Sequence, residues 1–253
     1  MIKSYKIIPV SILKNRCLTR FLRPAILLGI LFSSFALVAE NPPDIAKYTI
    51  QREKTSEFVA SSLQSGKRPE IEINEHSGVY RIKVVAQIAA PASYVRYVLT
   101  DYTHIYRLNP SIIESEVLER DDEAVNVRTK VVGCAAYFCE ELDRVERVRV
   151  LPSGDIQAEI IPELSQFKSG QTLWNIKPVG DYCEVTYLSD LEPDIYIPPV
   201  VGKFLIKKSI REEMLVSFTN LEKISSVLAR RARQENFQHA NEPSITEAAS
   251  NGP

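Results

Sequence analysis

Histidine is scarce in this chain: His76, His104 and His239 are its three, and no two stand in an HxxxH or HxH pair. A metal centre is therefore not expected, because such centres collect ligands at short spacing on one element. Nor does any nucleophile paired with a base, or any carboxylate pair, stand out as a catalytic constellation. Asp190, Glu192 and Asp194 alternate and would share one strand face as a cation site; beside Pro193 a solvated strand end is the preferred reading. No internal repeat and no strong linker divides the chain from Pro69 onward.

Acid is missing from the first 23 residues, which carry six cations, Lys3, Lys6, Lys14, Arg16, Arg20 and Arg23. An uncharged run from Pro24 to Ala39 follows, PAILLGILFSSFALVA. This is the pattern of a secretory signal peptide over residues 1–39. Sixteen helical residues span about 24 Å, short of a hydrocarbon core of about 30 Å, which favours cleavage. Leu37, three positions before a break at Ala39, departs from the small-residue rule, so an uncleaved anchor is the competing expectation. Beyond the leader, residues 40–68 read as an N-terminal extension. Residues 230–253 lose apolar periodicity and read as a disordered tail.

A basic stripe is also missing. Six of the 31 Lys and Arg lie before residue 40, leaving 25 against 32 acids. A nucleic-acid partner is not expected of such a chain. Export places the remaining cysteines in an oxidising compartment, a bacterial periplasm or envelope. Cys17 leaves with the leader. Cys134 and Cys139 face each other across the loop of CAAYFC, close enough for a disulfide. Cys183 lies in a strand pattern and reads as a buried thiol.

What is present is alternation. PEIEINEHSGVYRIKVVAQIAA reads as two strands joined at His76-Ser77-Gly78. Pro91 opens a helical pattern through Val95, Val98, Leu99, Tyr102, Ile105 and Tyr106, enough for two short helices ending at Asn109-Pro110. Six strand-like runs follow, at 111–120, 124–133, 139–151, 155–162, 169–178 and 182–192. The third is ambiguous, because Leu142, Val145 and Val148 recur every three residues; its valines and the Pro152-Ser153-Gly154-Asp155 turn favour a bent strand. After Pro198-Pro199, Ile206, Ile210, Met214, Ser217, Leu221, Ile224 and Leu228 form one unbroken helical face. The order implies an α+β layer of seven or eight antiparallel strands crossed by a long helix.

DYTHIYRLNP, LPSGDIQAEI, SQFKSGQTLW, YLSDLEPDIYIPPVVGKFLIKKSIREE and TNLEKI resemble the START/Bet v 1 superfamily, of polyketide cyclase and coenzyme Q-binding type, over about residues 70–228. The resemblance implies a helix-grip fold over residues 69–229. In it a curved antiparallel sheet of about seven strands, with two short helices after its first strand, wraps a long C-terminal helix and leaves a hydrophobic cavity beneath it.

Successive turns of a meander alternate between the two ends of the sheet. One end receives the polar turns Arg120–Glu123, Pro152–Asp155 and Val179–Asp181. The other receives CAAYFC, PELSQFKSG and EPDIYIPPV, which carry Tyr137, Phe138, Phe167, Ile195, Tyr196 and Ile197. Apolar loop tips gathered at one end form either the rim of a ligand entrance or a plug for the core. The expected lining is Tyr102, Tyr106, Trp174, Ile176, Val185 and Tyr187 on the sheet and short helices. Phe204, Ile210, Arg211, Met214 and Phe218 would add to it from the long helix, with Arg211 a candidate for holding a headgroup. A filled core needs the same residues, so that alternative stays open.

The function expected is carriage of a hydrophobic small molecule, a lipid, quinone, sterol or other isoprenoid, with transient membrane contact and no cofactor. A cyclase or dehydratase is the rival; it would bring titratable groups such as Arg144, Glu146 and Arg211 to face inward together. A third reading is a filled module that docks an unidentified envelope protein through its apolar end.

Overall fold

A computed structural model describes residues 65–135, 138–196 and 202–240, all within one compact unit spanning Pro42–Pro253. The leader with Cys17, the extension to residue 64, Tyr137, Ile197 and residues 241–253 lie outside the described residues.

Eight strands form one antiparallel sheet: β1 (Glu70–His76), β2 (Val79–Ile88), β3 (Ile112–Arg120), β4 (Val125–Ala135), β5 (Phe138–Val150), β6 (Ile156–Ile160), β7 (Phe167–Val179) and β8 (Tyr182–Pro193). Their order is β1-β2-β8-β7-β6-β5-β4-β3, so β2 pairs with the last strand and the rest is a meander. The sheet is curved and unclosed, and it grips the long helix α2 (Gly202–Ala240). Helix α1 (Ala92–Thr100) and a 3-10 turn (Tyr102–Arg107) fill the link from β2 to β3. The two short helices thus follow the β1–β2 hairpin, as the alternation predicts, rather than the first strand as the resemblance implied, and the strands number eight, within the expected seven or eight. Ser77 and Gly78 both take positive φ, 52° and 89°. Such a two-residue turn lets the twisted β1–β2 hairpin close.

Alternation selects the inner face. On β2, Tyr80, Ile82, Val84, Ala86 and Ile88 are buried; on β8, Cys183, Val185, Tyr187 and Ser189 are. α2 lays Phe218 and Leu221 against them, with Ile210, Met214, Ile224 and Leu228 at the margins. Fully burying each such apolar side chain stabilises the fold by about 1.5–3 kcal/mol.

Polar contacts fix the helix at several points. Asn109 Nδ2 donates to Glu213 O (3.1 Å) and Ser217 Oγ (3.0 Å), and Ser111 Oγ donates to Glu213 Oε2 at 2.8 Å. Farther along, buried Glu222 accepts the backbone N–H groups of Ser65 (2.7 Å) and Ala89 (3.1 Å). α2 continues to Ala240, where a disordered tail was expected from residue 230. The reason is propensity: ARRARQENFQHA lacks apolar periodicity but is rich in Ala, Arg, Gln and Glu, all good helix formers.

The period-three pattern of β5 has a tertiary cause. Leu142 and Val148 face inward, whereas Val145 faces outward yet is 1% exposed. The β6–β7 connection folds over it: Ile161 N–H donates to Val145 O (2.9 Å), and Val145 N–H donates to Ser165 Oγ (2.9 Å). Both faces of β5 are therefore covered at this point.

Candidate functional site

The register sorts the turns into two groups at opposite ends of the sheet. The β1–β2, β4–β5 and β6–β7 connections and the end of β8 lie at one end, with the first turn of α2. Cys134 and Cys139 are directly paired at the β4–β5 tip and joined by a disulfide, their Cα atoms 4.1 Å apart. Ser209 Oγ on α2 donates to Cys134 O, tying that tip to the helix.

The candidate entrance residues divide. Phe167 is folded inward, 7% exposed, in a small cluster with Leu142 and Ile160 against which Ile195 packs. Phe138 is half-buried, and Tyr196 stands out at 77% exposure. The rings of this end thus both cap the sheet and reach solvent. At this end lies a recess of about 590 Å³, walled by Glu75, Tyr80, Lys168, Glu192, Ile195 and Ile206 among others. Lys203 of α2 meets Glu75 across it at 2.7 Å, and that pairing holds the Glu75 carboxyl below its ordinary pKa. A second recess, of about 550 Å³, lies among outward side chains of the sheet that include Glu72, Lys83, Gln157 and Leu188.

Deeper on the inner face, the residues expected as lining gather into one wall. Trp174 on β7 and Tyr187 on β8 have ring centroids 4.5 Å apart, and Phe218 of α2 stacks over Trp174 at 5.6 Å. Ile176 and Val185 are buried beside them, Tyr102 closes the wall from the 3-10 turn, and Ile210 and Met214 pack at its edge. Three residues fall elsewhere. Phe204 is 74% exposed. Arg211 is exposed, and its Nη1 donates to Ile71 O of edge strand β1 at 2.6 Å. Tyr106 is 46% exposed. It does not share a face with Tyr102 because this segment is 3-10, broken at His104 (φ −125°), so residues four apart diverge.

A polar band crosses this apolar wall. Arg144 and Glu146 on β5 share strand parity with Leu142 and Val148 and so point inward. They form an ion pair, Arg144 Nη2 to Glu146 Oε1 at 2.5 Å, with side chains 23% and 14% exposed. The Tyr187 phenol also lies near enough to the guanidinium to interact with it. Burial alone would lower the Arg144 pKa, but Glu146 and Tyr187 outweigh it and hold the guanidinium charged. Arg144 Nε–H is buried with no partner among the described residues. On β7 and β8, Thr172 Oγ1 and Ser189 Oγ pair at 2.9 Å, both buried.

The band is thus Arg144, Glu146, Tyr187, Thr172 and Ser189, bounded by apolar clusters on both sides. Such a surface can hold an apolar molecule that carries an oxygen to be hydrogen-bonded. Arg144 and Glu146 were singled out in the sequence, but the Thr172–Ser189 pair was not. Strand parity alone could have found it, since both share a face with Trp174 and Tyr187.

Among the described residues no cluster of His, Cys, Asp and Glu is arranged to hold a metal. Cys183 is buried, and burial pushes its thiol up to about 11.

Residues 80–225 match the family described as polyketide cyclase / dehydrase and lipid transport. A comparison with curated proteins gives no significant match. Among solved structures, a protein from Thermus thermophilus aligns over 59% of this chain and 99% of its own, with 16% identity and a TM-score of 0.52. An aromatase/cyclase from Streptomyces aligns over 62% of this chain and 98% of its own, with 16% identity and a TM-score of 0.51. At that identity the likeness is one of fold.

Proposed function

The chain belongs to the polyketide cyclase / dehydrase and lipid transport family, and from that membership we propose that it is an exported carrier of a hydrophobic small molecule. The observation that carries this reading is the inner face itself: an aromatic and aliphatic wall crossed by one hydrogen-bonding band. Removing apolar ligand surface from water supplies binding at about 25 cal/mol per Å². The band adds orientation. Arg144 Nε–H is a spare donor and Glu146 an acceptor, so a quinone, sterol or other oxygen-bearing isoprenoid suits the wall better than a plain hydrocarbon. The cationic leader and the Cys134–Cys139 disulfide support export to a periplasm or envelope.

The same geometry favours carriage over cyclase or dehydratase chemistry. A general acid or base works best with a pKa near the working pH. Arg144 is instead held charged, and Arg211, which the enzyme reading needs inside, bonds edge strand β1.

The test is native mass spectrometry of the mature protein, isolated from the periplasm without detergent and then solvent-extracted. A discrete added mass of a few hundred daltons, lost on extraction and retained several-fold less by Arg144→Met, is the expected result. A mass that stays that of the bare chain after incubation with a membrane lipid extract overturns carriage and favours a protein-docking module.

A further inference from the structure

We infer that the first turns of α2 are a docking face for a bilayer of net negative charge, set beside the opening through which cargo passes. The inference rests on the carrier reading and adds to it a surface and a lipid class.

Gly202–Arg211, GKFLIKKSIR, holds four cations, Lys203, Lys207, Lys208 and Arg211, and no acid. The whole chain has a net charge of −1, so this segment departs from its surroundings. Two of the four have structural partners, Lys203 in Glu75 and Arg211 in Ile71 O, so fold stability accounts for those two and not for Lys207 and Lys208. The N-terminal end of a helix is the positive end of its dipole, and cations there are disfavoured.

Exposed aromatics accompany the charge. Tyr196 and Phe204, at 77% and 74%, are the most exposed of the large hydrophobic side chains among the described residues. Phe204 lies within the lysine run and Tyr196 just before it. An amphiphilic surface of rings and lysines fits the boundary between acyl chains and headgroups, with lysine stems along the apolar layer and ammonium groups among phosphates.

The neighbouring acids cancel part of this face and leave the charge of Lys207 and Arg211, with that of Lys208 only loosely met. Glu192 and Asp194 face Lys168, at 4.0 and 3.7 Å, and Glu75 is occupied by Lys203. Lys208 only loosely meets Glu212, at 3.9 Å. Glu140 and Glu141 stand exposed on the β4–β5 hairpin, so the positive face is that of α2 and not of the whole rim. Gly202, Lys203 and Ile206 of the same turns wall the recess of about 590 Å³. Contact through Phe204 and Lys207 therefore brings that recess against the lipid. Among the described residues no helix is long and apolar enough to cross a membrane, so the contact is peripheral.

The experiment is flotation of the mature protein with phosphatidylcholine vesicles, with and without phosphatidylglycerol, at low and high salt. The bound fraction should rise several-fold with phosphatidylglycerol and fall as salt screens the lysines. The double variant K207E/K208E should return it to the level of neutral vesicles, and F204S should lower it on both. Phe204 and Lys208 are exposed and Lys207 is half-buried, so circular dichroism and melting should match the wild type and separate docking from folding. Equal binding to neutral and anionic vesicles, or no response to K207E/K208E, overturns the inference, and a protein is then the partner to seek. Native mass spectra of the same samples keep the two readings apart. Cargo without charge-dependent flotation defeats the docking face alone, whereas flotation without cargo defeats carriage alone.

Discussion

Gly170 stands at a close approach of neighbouring strands on the inner face of the sheet. A Cβ there would lie 2.6 Å from Ile160 Cγ1 and 2.8 Å from Leu191 Cδ2, both apolar atoms of the cluster beneath the entrance. Gly170→Ala should therefore push β6 and β8 side chains apart and cost about 1–3 kcal/mol, as overpacking does. The urea midpoint should fall accordingly; an unchanged midpoint would mean that Ile160 and Leu191 can turn aside. The same scale shows what one residue's letter conceals. Phe204 and Phe218 are equally apolar in the chain, yet one is 74% exposed and the other 1%. Fourteen residues apart, the two lie on nearly the same face of α2, within about 40° about its axis; position along the helix makes the difference, Phe204 standing in the first turn and Phe218 against Trp174 and Tyr187.

At the scale of elements, the β4–β5 hairpin is held three ways: by ladder pairing, by the disulfide and by Ser209 of α2. The covalent link closes a loop with a sequence separation of 5. For so short a loop the entropy removed from the unfolded chain is worth roughly 2 kcal/mol. The paired variant C134S/C139S should melt lower by that amount. The wild type with reductant should match it, and wild-type melting that ignores reductant would show that the bridge is not formed in solution. Strand and helix types were legible at this scale because periods of two and three to four distinguish them. β5 was the ambiguous one, since the β6–β7 link covers Val145 from outside and superimposes a second buried face on the first.

For the molecule as a whole, carboxylates and buried neutral groups bound the pH range of stability. Asp155 would be raised by its partial burial, but the Ile176 N–H, Ser153, Asn175 and Arg96 outweigh that and lower it. Asp121 is lowered by the Glu123 N–H and Arg147. Glu75 is lowered chiefly by Lys203. These depressed groups contribute stability that is present above their unfolded values, 3.8 for Asp and 4.5 for Glu, and is lost as pH falls through the folded ones. Tyr80, Tyr102 and Cys183 are raised by burial, so their contribution is complete below the unfolded values and is lost as pH rises through the folded ones. Urea midpoints should be flat between about pH 5 and 8 and decline on both sides. A midpoint that rises on acidification below pH 4 would contradict the pairing of these carboxylates.

The sequence by itself determined the order of strands and helices, the long amphipathic helix, the gathering of aromatic turns at one end and the family. Each of these depends on spacing between near neighbours, where the periods of strand and helix dictate which side chains share a face. The tertiary structure alone decided which distant residues meet. Strand parity points Arg144, Glu146 and Tyr187 inward, but β6 and β7 lie between β5 and β8, and it takes the curvature of the sheet to bring a guanidinium and a phenol on those strands together. The placement of Arg211 outside that wall was likewise settled by α2 lying along edge strand β1. A one-dimensional pattern says that a face is buried; only the packing partner says against what.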